Sequence, residues 1–334
     1  MKILFIGGTG NISAACSRLA IQKGYEVYML NRGNIVIPEL KKAVSIKCDI
    51  HNTAEVEKVL KDLKFDVVAN FFVFKPEEVK RDIEIFSGKT KQYIFISSAS
   101  AYQKPLSHPI ITESTPLANP YWEYSRDKIA CEQVLIEAYR KQGFPMTIVR
   151  PSLTYQTVIP VAIGSWDDFT IVDRMRKGKK VIVHGDGSSL WTITHSEDFA
   201  IGFTGLLGHQ QAIGQSFHIT SDEILTWNQI YEAVAEGAGT TANIVHIASD
   251  FICREAEKLG QDWMWGNLLG DKSVSAIFDN TKIKTFVPEY KATIPFKSGI
   301  KRTIEWFEAD PARMKIVEEN NVLMDKVIEA YEKK

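Results

Sequence analysis

The sequence predicts a doubly wound α/β fold, a parallel sheet covered by helices on both faces, followed by a smaller mixed α/β lobe. Three observations predict it. Short apolar runs rich in strand formers alternate with helix-patterned segments up to about residue 154. A glycine-rich turn, "GGTG", follows the first of those runs directly. Beyond residue 154 the alternation weakens and aromatic residues gather, among them Tyr155, Trp166, Trp263 and Trp265.

The elements follow in order. Residues 3–6 form a strand, and Ala14, Ala15, Leu19 and Ala20 recur at helical spacing before Gly24, where a helix should stop. "YEVYML" is the second strand, which completes a right-handed βαβ unit of about thirty residues. "AVSIKCDI" is a strand, "TAEVEKVLKDL" a helix and "DVVANFFVF" a strand. "PEEVKRDIEIFSG" is a helix, "QYIFISSAS" a strand, "WEYSRDKIACEQVLIEAYRKQG" a long helix and "MTIVRPS" a strand. Such alternation buries the sheet on both faces and gathers ligands at the carboxyl ends of its strands.

The 334 residues are 45% hydrophobic and 24% charged, the range of a soluble globular protein with ample core. A net charge of -1 disfavours a protein built mainly to hold nucleic acid. The four cysteines, Cys16, Cys48, Cys131 and Cys253, are too far apart for a metal knuckle or redox pair and read as reduced thiols. The seven histidines show no metal-ligand spacing, and His195 reads as structural. "MKILFIGG" is too short for a signal peptide and no apolar run has membrane-spanning length, so a cytoplasmic protein is expected.

The glycine pattern is Gly7, Gly10 and then Ser13, where a third glycine commonly falls. Glycine lets backbone approach a pyrophosphate, and the helix that follows offers unpaired N–H groups to it. Serine is small enough to require only a slight adjustment. At the end of the second strand stand Asn31 and Arg32, with no carboxylate to repel a 2′-phosphate and a guanidinium to pair with one. NADP is therefore preferred over NAD. The alternative is that Arg32 is a solvated turn residue and Asn31 alone meets the ribose.

Tyr124 and Lys128, in "YSRDK", stand four apart on a helix and share a face. Alone the spacing is common. Set among "GGTGNIS", "CDI", "FISSASAY", "PIITESTPLANPYWEYSRDKIACEQVL", "VRPSLTY", "WTITHSEDFA" and "GIKRTIEWF", it resembles the extended short-chain dehydrogenase/reductase superfamily, NAD-dependent epimerase/dehydratase type, over almost the whole chain. The resemblance implies a catalytic set of Ser98, Tyr124 and Lys128. Tyr124 would exchange a proton with the substrate hydroxyl, Ser98 would hold the same oxygen, and Lys128 would hold the nicotinamide ribose. A neighbouring ammonium and a positive nicotinamide ring would lower the phenol pKa.

For the cofactor, the resemblance implies Gly7, Thr9, Gly10, Asn11 and Ile12 at the pyrophosphate. It puts Asn31 and Arg32 at the ribose, Asp49 and Ile50 at the adenine, and Phe72, Tyr124, Lys128 and Pro151 towards the nicotinamide. Lys75, Ser98, Ser100, Tyr155 and Trp191 are the expected substrate residues. Residues 1–154 with about 190–222 would form the dinucleotide-binding part, and 155–189 with about 223–334 the substrate lobe. "DWMWGNLLGDKS" would cover the cleft, or Trp263 and Trp265 would simply anchor the lobe. Helices 76–87 and 122–142 would make a homodimer contact.

The departures bear on the substrate. Ala99 and Ser100 replace the acidic pair of the family's dehydratases, which disfavours dehydration. Trp191 stands where nucleotide-sugar epimerases carry a diphosphate-gripping arginine. Phe71, Phe72 and Phe74 would narrow the pocket or fill core, with core expected for at least two. The expected function is an NAD(P)-dependent epimerase or oxidoreductase acting on a hydroxylated small molecule, possibly a sugar or nucleotide sugar. The alternatives are a net carbonyl reductase, a cofactor-bound sensor without turnover, or an RNA-binding relative of the chloroplast stem-loop type. The basic run "RMRKGKK" would support the RNA reading, and is otherwise a solvated turn.

Overall fold

Seven strands form one parallel sheet in this computed structural model, which describes residues 1–333. They are β1 (Lys2–Ile6), β2 (Glu26–Asn31), β3 (Val44–Lys47), β4 (Phe65–Asn70), β5 (Thr90–Ile96), β6 (Met146–Pro151) and β7 (Ser216–Ile219). Their spatial order is β7-β6-β5-β4-β1-β2-β3. The chain therefore reverses its direction of travel between β1 and β4, which pair through Ile3↔Val67 and Phe5↔Ala69. A crevice opens at such a reversal, at the carboxyl ends of the strands.

Side-chain alternation sends β1 into two cores. Ile3 and Phe5 join Ala15, Cys16 and Ala20 of α1 (Ser13–Gln22) and Phe199 and Phe203 of a helix at Ser196–Leu206. Leu4 and Ile6 join Val56, Val79, Ile83 and Leu135 from three helices on the other face. These are α2 (Thr53–Val59), α3 (Pro76–Phe86) and α4 (Glu123–Gln142). Along α4 the buried positions are Ser125, Lys128, Cys131, Glu132, Leu135 and Ala138, a stripe at helical spacing that carries a lysine and a glutamate inward. The helix ends on Gly143 in the left-handed region, φ 68°.

A third core lies under the residues that follow β6. Its centre is Trp191, Trp227, Tyr231 and Phe251, beside a parallel strand pair, Lys180–His184 with Asn243–Ile247. Of the basic run's charged residues only Arg174 departs from the expected solvated turn, since residues 176–180 are exposed. Arg174 is buried and paired with Asp325, while Arg176 pairs with Glu308, Lys177 with Asp173 and Lys180 with Glu332. Helix Trp263–Asn267 runs into a π-helical turn, Leu268–Lys272. Trp265 packs on this core, whereas Trp263 stays half exposed. Among the described residues no helix is long and apolar enough to cross a membrane.

Candidate active site

Two cavities open at the strand tips. The first, of about 160 Å³, is lined by Gly7, Thr9, Asn31, Arg32, Asp49, Ile50 and Phe72 among others. Gly7 adopts φ +82°, and a Cβ there would sit 2.1 Å from the Phe72 ring, so glycine is required on both counts. Ser13 does more than fit. Its Oγ donates to the Gly7 carbonyl at 2.5 Å and accepts from the Gly10 N–H at 2.8 Å, which clips the turn shut. Asn11 uses its side chain to bind the Thr154 carbonyl at 2.8 Å and the Thr157 N–H at 3.1 Å. What Asn11 and Ile12 offer a ligand is therefore their backbone N–H groups, just ahead of α1. Asn31 Oδ1 accepts from the Gly33 N–H, and Asp49 Oδ1 from the His51 N–H, so both turns are preset.

The second cavity, of about 560 Å³, is lined by Ser98, Ser100, Tyr124, Pro151 and Trp191 on the sheet side. Lys104, Trp166, Trp263, Asn267, Asp271 and Lys272 face them. A row of rings links the two spaces. Phe72 and Phe74 lie 6.4 Å apart, Phe74 and Tyr124 6.5 Å, and Tyr124 and Trp122 5.0 Å. Phe72 and Phe74 are 43% and 42% exposed, and only Phe71 packs into a core, against Phe5 and Phe203. The expectation that at least two of the three fill core is thus corrected. Phe72 must cover the glycine turn, and that position holds it at the surface.

The Tyr124 phenol and the Ser98 hydroxyl share the cavity wall, and Ser98 shares a 2.8 Å hydrogen bond with Ser100 Oγ. Ser125 Oγ donates to that same Ser100 oxygen at 2.7 Å. Lys128 Nζ donates to the carbonyls of Val73 at 2.5 Å and Ile96 at 2.8 Å, and lies over the Phe74 ring. Burial pulls its pKa down to about 8. Burial also pushes the Tyr124 phenol up to about 12, with the Ser98 hydroxyl drawing it back and the Asp271 charge adding to the rise. The expected lowering by the neighbouring ammonium is therefore corrected. Lys128 is turned towards two carbonyls, with Nζ 5.7 Å from the tyrosine ring centre.

Below these groups lies a buried network. Glu132 accepts two bonds from Arg150, at 2.9 and 2.6 Å, and one from Ser97 at 2.5 Å. Arg150 continues to the Tyr102 hydroxyl, which meets His218 Nδ1 at 3.0 Å. It braces β5, β6 and α4 where Ser98, Pro151 and Tyr124 emerge.

Two expected substrate residues lie elsewhere. Tyr155 is fully buried, and its hydroxyl donates to the Phe296 carbonyl at 3.4 Å, away from the cavity lining. Lys75 points outward and pairs with Asp127 at 2.6 Å and Glu123 at 3.4 Å on α4. Sequence reasoning missed Asn119. It is buried, donates to the Ser100 and Gly270 carbonyls at 2.9 and 2.7 Å, and accepts from the N–H groups of Tyr121 and Trp122. An asparagine just ahead of a helix was the available signal. Lys104, Asp271 and Lys272 were also missed, and single charged residues in loops gave no signal at all.

A glycine turn at a sheet's reversal point, with tyrosine, serine and lysine gathered beside it, defines a dinucleotide-binding type of α/β fold with a candidate acid–base site. Comparison with known proteins gives the family. Residues 3–220 match the model of the NAD dependent epimerase/dehydratase family, and the chain belongs to it, in the extended short-chain dehydrogenase/reductase type.

Among curated relatives, the chloroplast stem-loop binding protein of 41 kDa b of Arabidopsis thaliana is 26% identical, over 73% of this chain and 65% of that protein. UDP-glucose 4-epimerase of Lactobacillus helveticus is 31% identical, over 45% of this chain and 51% of that protein. The matched segments span between half and two thirds of these relatives. Epimerase Mth375 from Methanothermobacter thermautotrophicus superposes with a TM-score of 0.75 at 16% identity, over 94% of both chains. That likeness shows the fold.

Proposed function

We propose that this chain is an NAD(P)-dependent epimerase or oxidoreductase acting on a hydroxylated small molecule, with residues 155–189 and about 223–334 as the substrate lobe. The observation that carries the reading is the Tyr124–Ser98 hydroxyl pair on the wall of the larger cavity, with the Lys128 ammonium buried one helical turn behind. The first cavity fits the adenosine end of a dinucleotide. Its glycine turn has no room for a Cβ, its helix N-terminus is open, and Arg32 is exposed with no ion-pair partner among the described residues. That free guanidinium favours NADP over NAD.

When bound, the dinucleotide supplies a hydride acceptor or donor and, oxidised, a positive ring that favours the phenolate. Tyr124 Oη receives the proton of a substrate hydroxyl and returns it in the reverse direction. Ser98 Oγ donates to the same substrate oxygen and holds it near Oη. Lys128, fixed by two carbonyls, would keep one donor for a ribose hydroxyl. With Ala99 and Ser100 beside Ser98, no carboxylate stands there to eliminate water.

The test is a screen of sugars, polyols and nucleotide sugars with both cofactors, run on wild type and Tyr124→Phe. The variant should lose roughly a hundredfold or more in rate. Unchanged turnover would overturn the assignment. Net nicotinamide absorbance change marks a dehydrogenase or reductase, and its absence over many turnovers marks an epimerase. We also propose a homodimer through the outer faces of α3 and α4; a monomer by light scattering counts against it. The name of the Arabidopsis relative raises RNA binding, but the pairing of the basic run with Asp173, Glu308, Asp325 and Glu332 argues against it. A salt-sensitive gel shift with structured RNA would reopen that reading.

A further inference from the structure

We propose that the substrate carries an anionic group, a carboxylate or a phosphate, and that Lys104 is the residue that holds it. The proposal rests on the reading of the Tyr124 cavity as the substrate site. Lys104 lines that cavity, is only 4% exposed, and its ammonium has no hydrogen-bond or ion-pair partner among the described residues. Only its backbone is engaged, with its N–H on the Ala118 carbonyl. An ammonium has three donors, and with no acceptor among the described residues those of Lys104 are left to the cavity.

The charges around Lys104 indicate what would complete it. Lys272, itself 7% exposed, reaches Asp271 at 3.2 Å and lies over the Trp122 ring. The Lys272 carbonyl is pinned by His184 Nε2 at 2.9 Å and Trp227 Nε1 at 3.0 Å, so this corner is rigid. Asp271 and Lys272 both act electrostatically on Lys104. Two ammoniums and one carboxylate leave a single excess positive charge.

The cavity's other acids, Asp167 and Asp168, are not among the charges that act on Lys104. Asp168 is buried, but its oxygens already accept from Ser165, Trp166, Thr170 and Asn320. Asp167 is exposed at the rim. Burial pulls the Lys104 pKa below its ordinary value, with Asp271 holding it up and Lys272 pressing it down; a bound anion would raise it.

The remaining walls set the substrate's shape. Trp122, Trp166, Trp191 and Trp263 offer flat apolar faces, suited to the C–H face of a small ring. Trp191 Nε1–H lacks a partner but is closed off from solvent, so the indole contributes its face and no donor. The substrate class that matches is a compact polyhydroxylated acid or phosphate ester. Its reacting hydroxyl would lie at Ser98 and Tyr124 and its anion at Lys104.

The cavity's tryptophans provide a readout independent of turnover. The cofactor-loaded full chain is titrated at low salt with a neutral hexose, the matching hexuronate, the matching hexose phosphate and inorganic phosphate, following intrinsic fluorescence. At least one charged sugar should bind about tenfold or more tighter than the neutral parent. The uronate and phosphate arms separate the two anions. Lys104→Met should erase that preference while raising Tm, because it removes an unpartnered charge, and Lys104→Arg should retain the preference. Equal affinities, no binding by either charged sugar, or a preference that survives Lys104→Met overturns the proposal. Tyr124→Phe should leave the preference intact while losing turnover, so failure of the catalytic reading is seen separately.

Discussion

The sheet side of the site and the lobe side that faces it are built on opposite terms, and their lysines show it. Lys128 donates hydrogen bonds to two carbonyls and sits over Phe74 and Phe95. Lys104 is almost as buried, yet its ammonium has no partner. On the sheet side, Glu132, Arg150, Tyr102, His218, Ser97, Ser98, Ser100 and Ser125 also hold one another. A satisfied network presets geometry, which acid–base chemistry needs before any ligand arrives. An unsatisfied donor keeps part of its binding capacity for a ligand. The proposed reading thus places chemistry on the satisfied wall and recognition on the one with a free donor.

The contrast can be broken from either side. Removing the centre of the sheet-side network should do most damage. Glu132→Ala strands the buried Arg150 guanidinium, and urea unfolding should show a loss of roughly 3–5 kcal/mol. A loss below about 1 kcal/mol would mean the network relaxes freely. Asn119 joins the two sides, so Asn119→Ala should cost about 1–3 kcal/mol in the same assay and raise KM more than it lowers kcat.

Acid should act on the lobe side through His184, whose pKa burial lowers to about 4. The unfolded chain takes up this proton near pH 6.5 while the fold resists until about 4. The contribution is therefore full above pH 6.5 and is lost as pH falls towards 4. Urea midpoints measured from pH 7 to 4.5 should fall, and His184→Asn should flatten the slope. The smallest effect is expected at Lys75, whose ion pairs with Asp127 and Glu123 lie at the surface. Lys75→Ala should leave both kcat/KM and the urea midpoint unchanged within error.

Much of the sheet side could be read from residue order. The turn at Gly7, the strand ends at Asn31, Asp49 and Ser98, and the spacing of Tyr124 and Lys128 are local patterns, and all of these residues line or adjoin the two cavities. Even Glu132 lies on the inward stripe of α4, four residues after Lys128. Tyr155 and Lys75 were misread for opposite reasons. Tyr155 follows the right strand, but the chain turns its ring into the core beside His195 and Phe296. Lys75 precedes a helix at the cavity mouth, but two acids on α4 draw it outward. The phenol's ordinary-looking neighbourhood also misled, because burial outweighs a cation whose donors already have acceptors.

Periodicity and turn chemistry act over a few residues, so the order of amino acids alone was enough for the doubly wound sheet, the glycine cradle and the tyrosine–lysine helix. Long-range packing was needed to bring Lys104 from the turn after β5 against Asp271 and Lys272 from a π-helical turn far along the chain, and to set four indoles around the same cavity. No local rule separates a lysine that will be solvated from one that will be enclosed. Enclosure depends on which distant surfaces close over it, and desolvation then sets what that charge must bind.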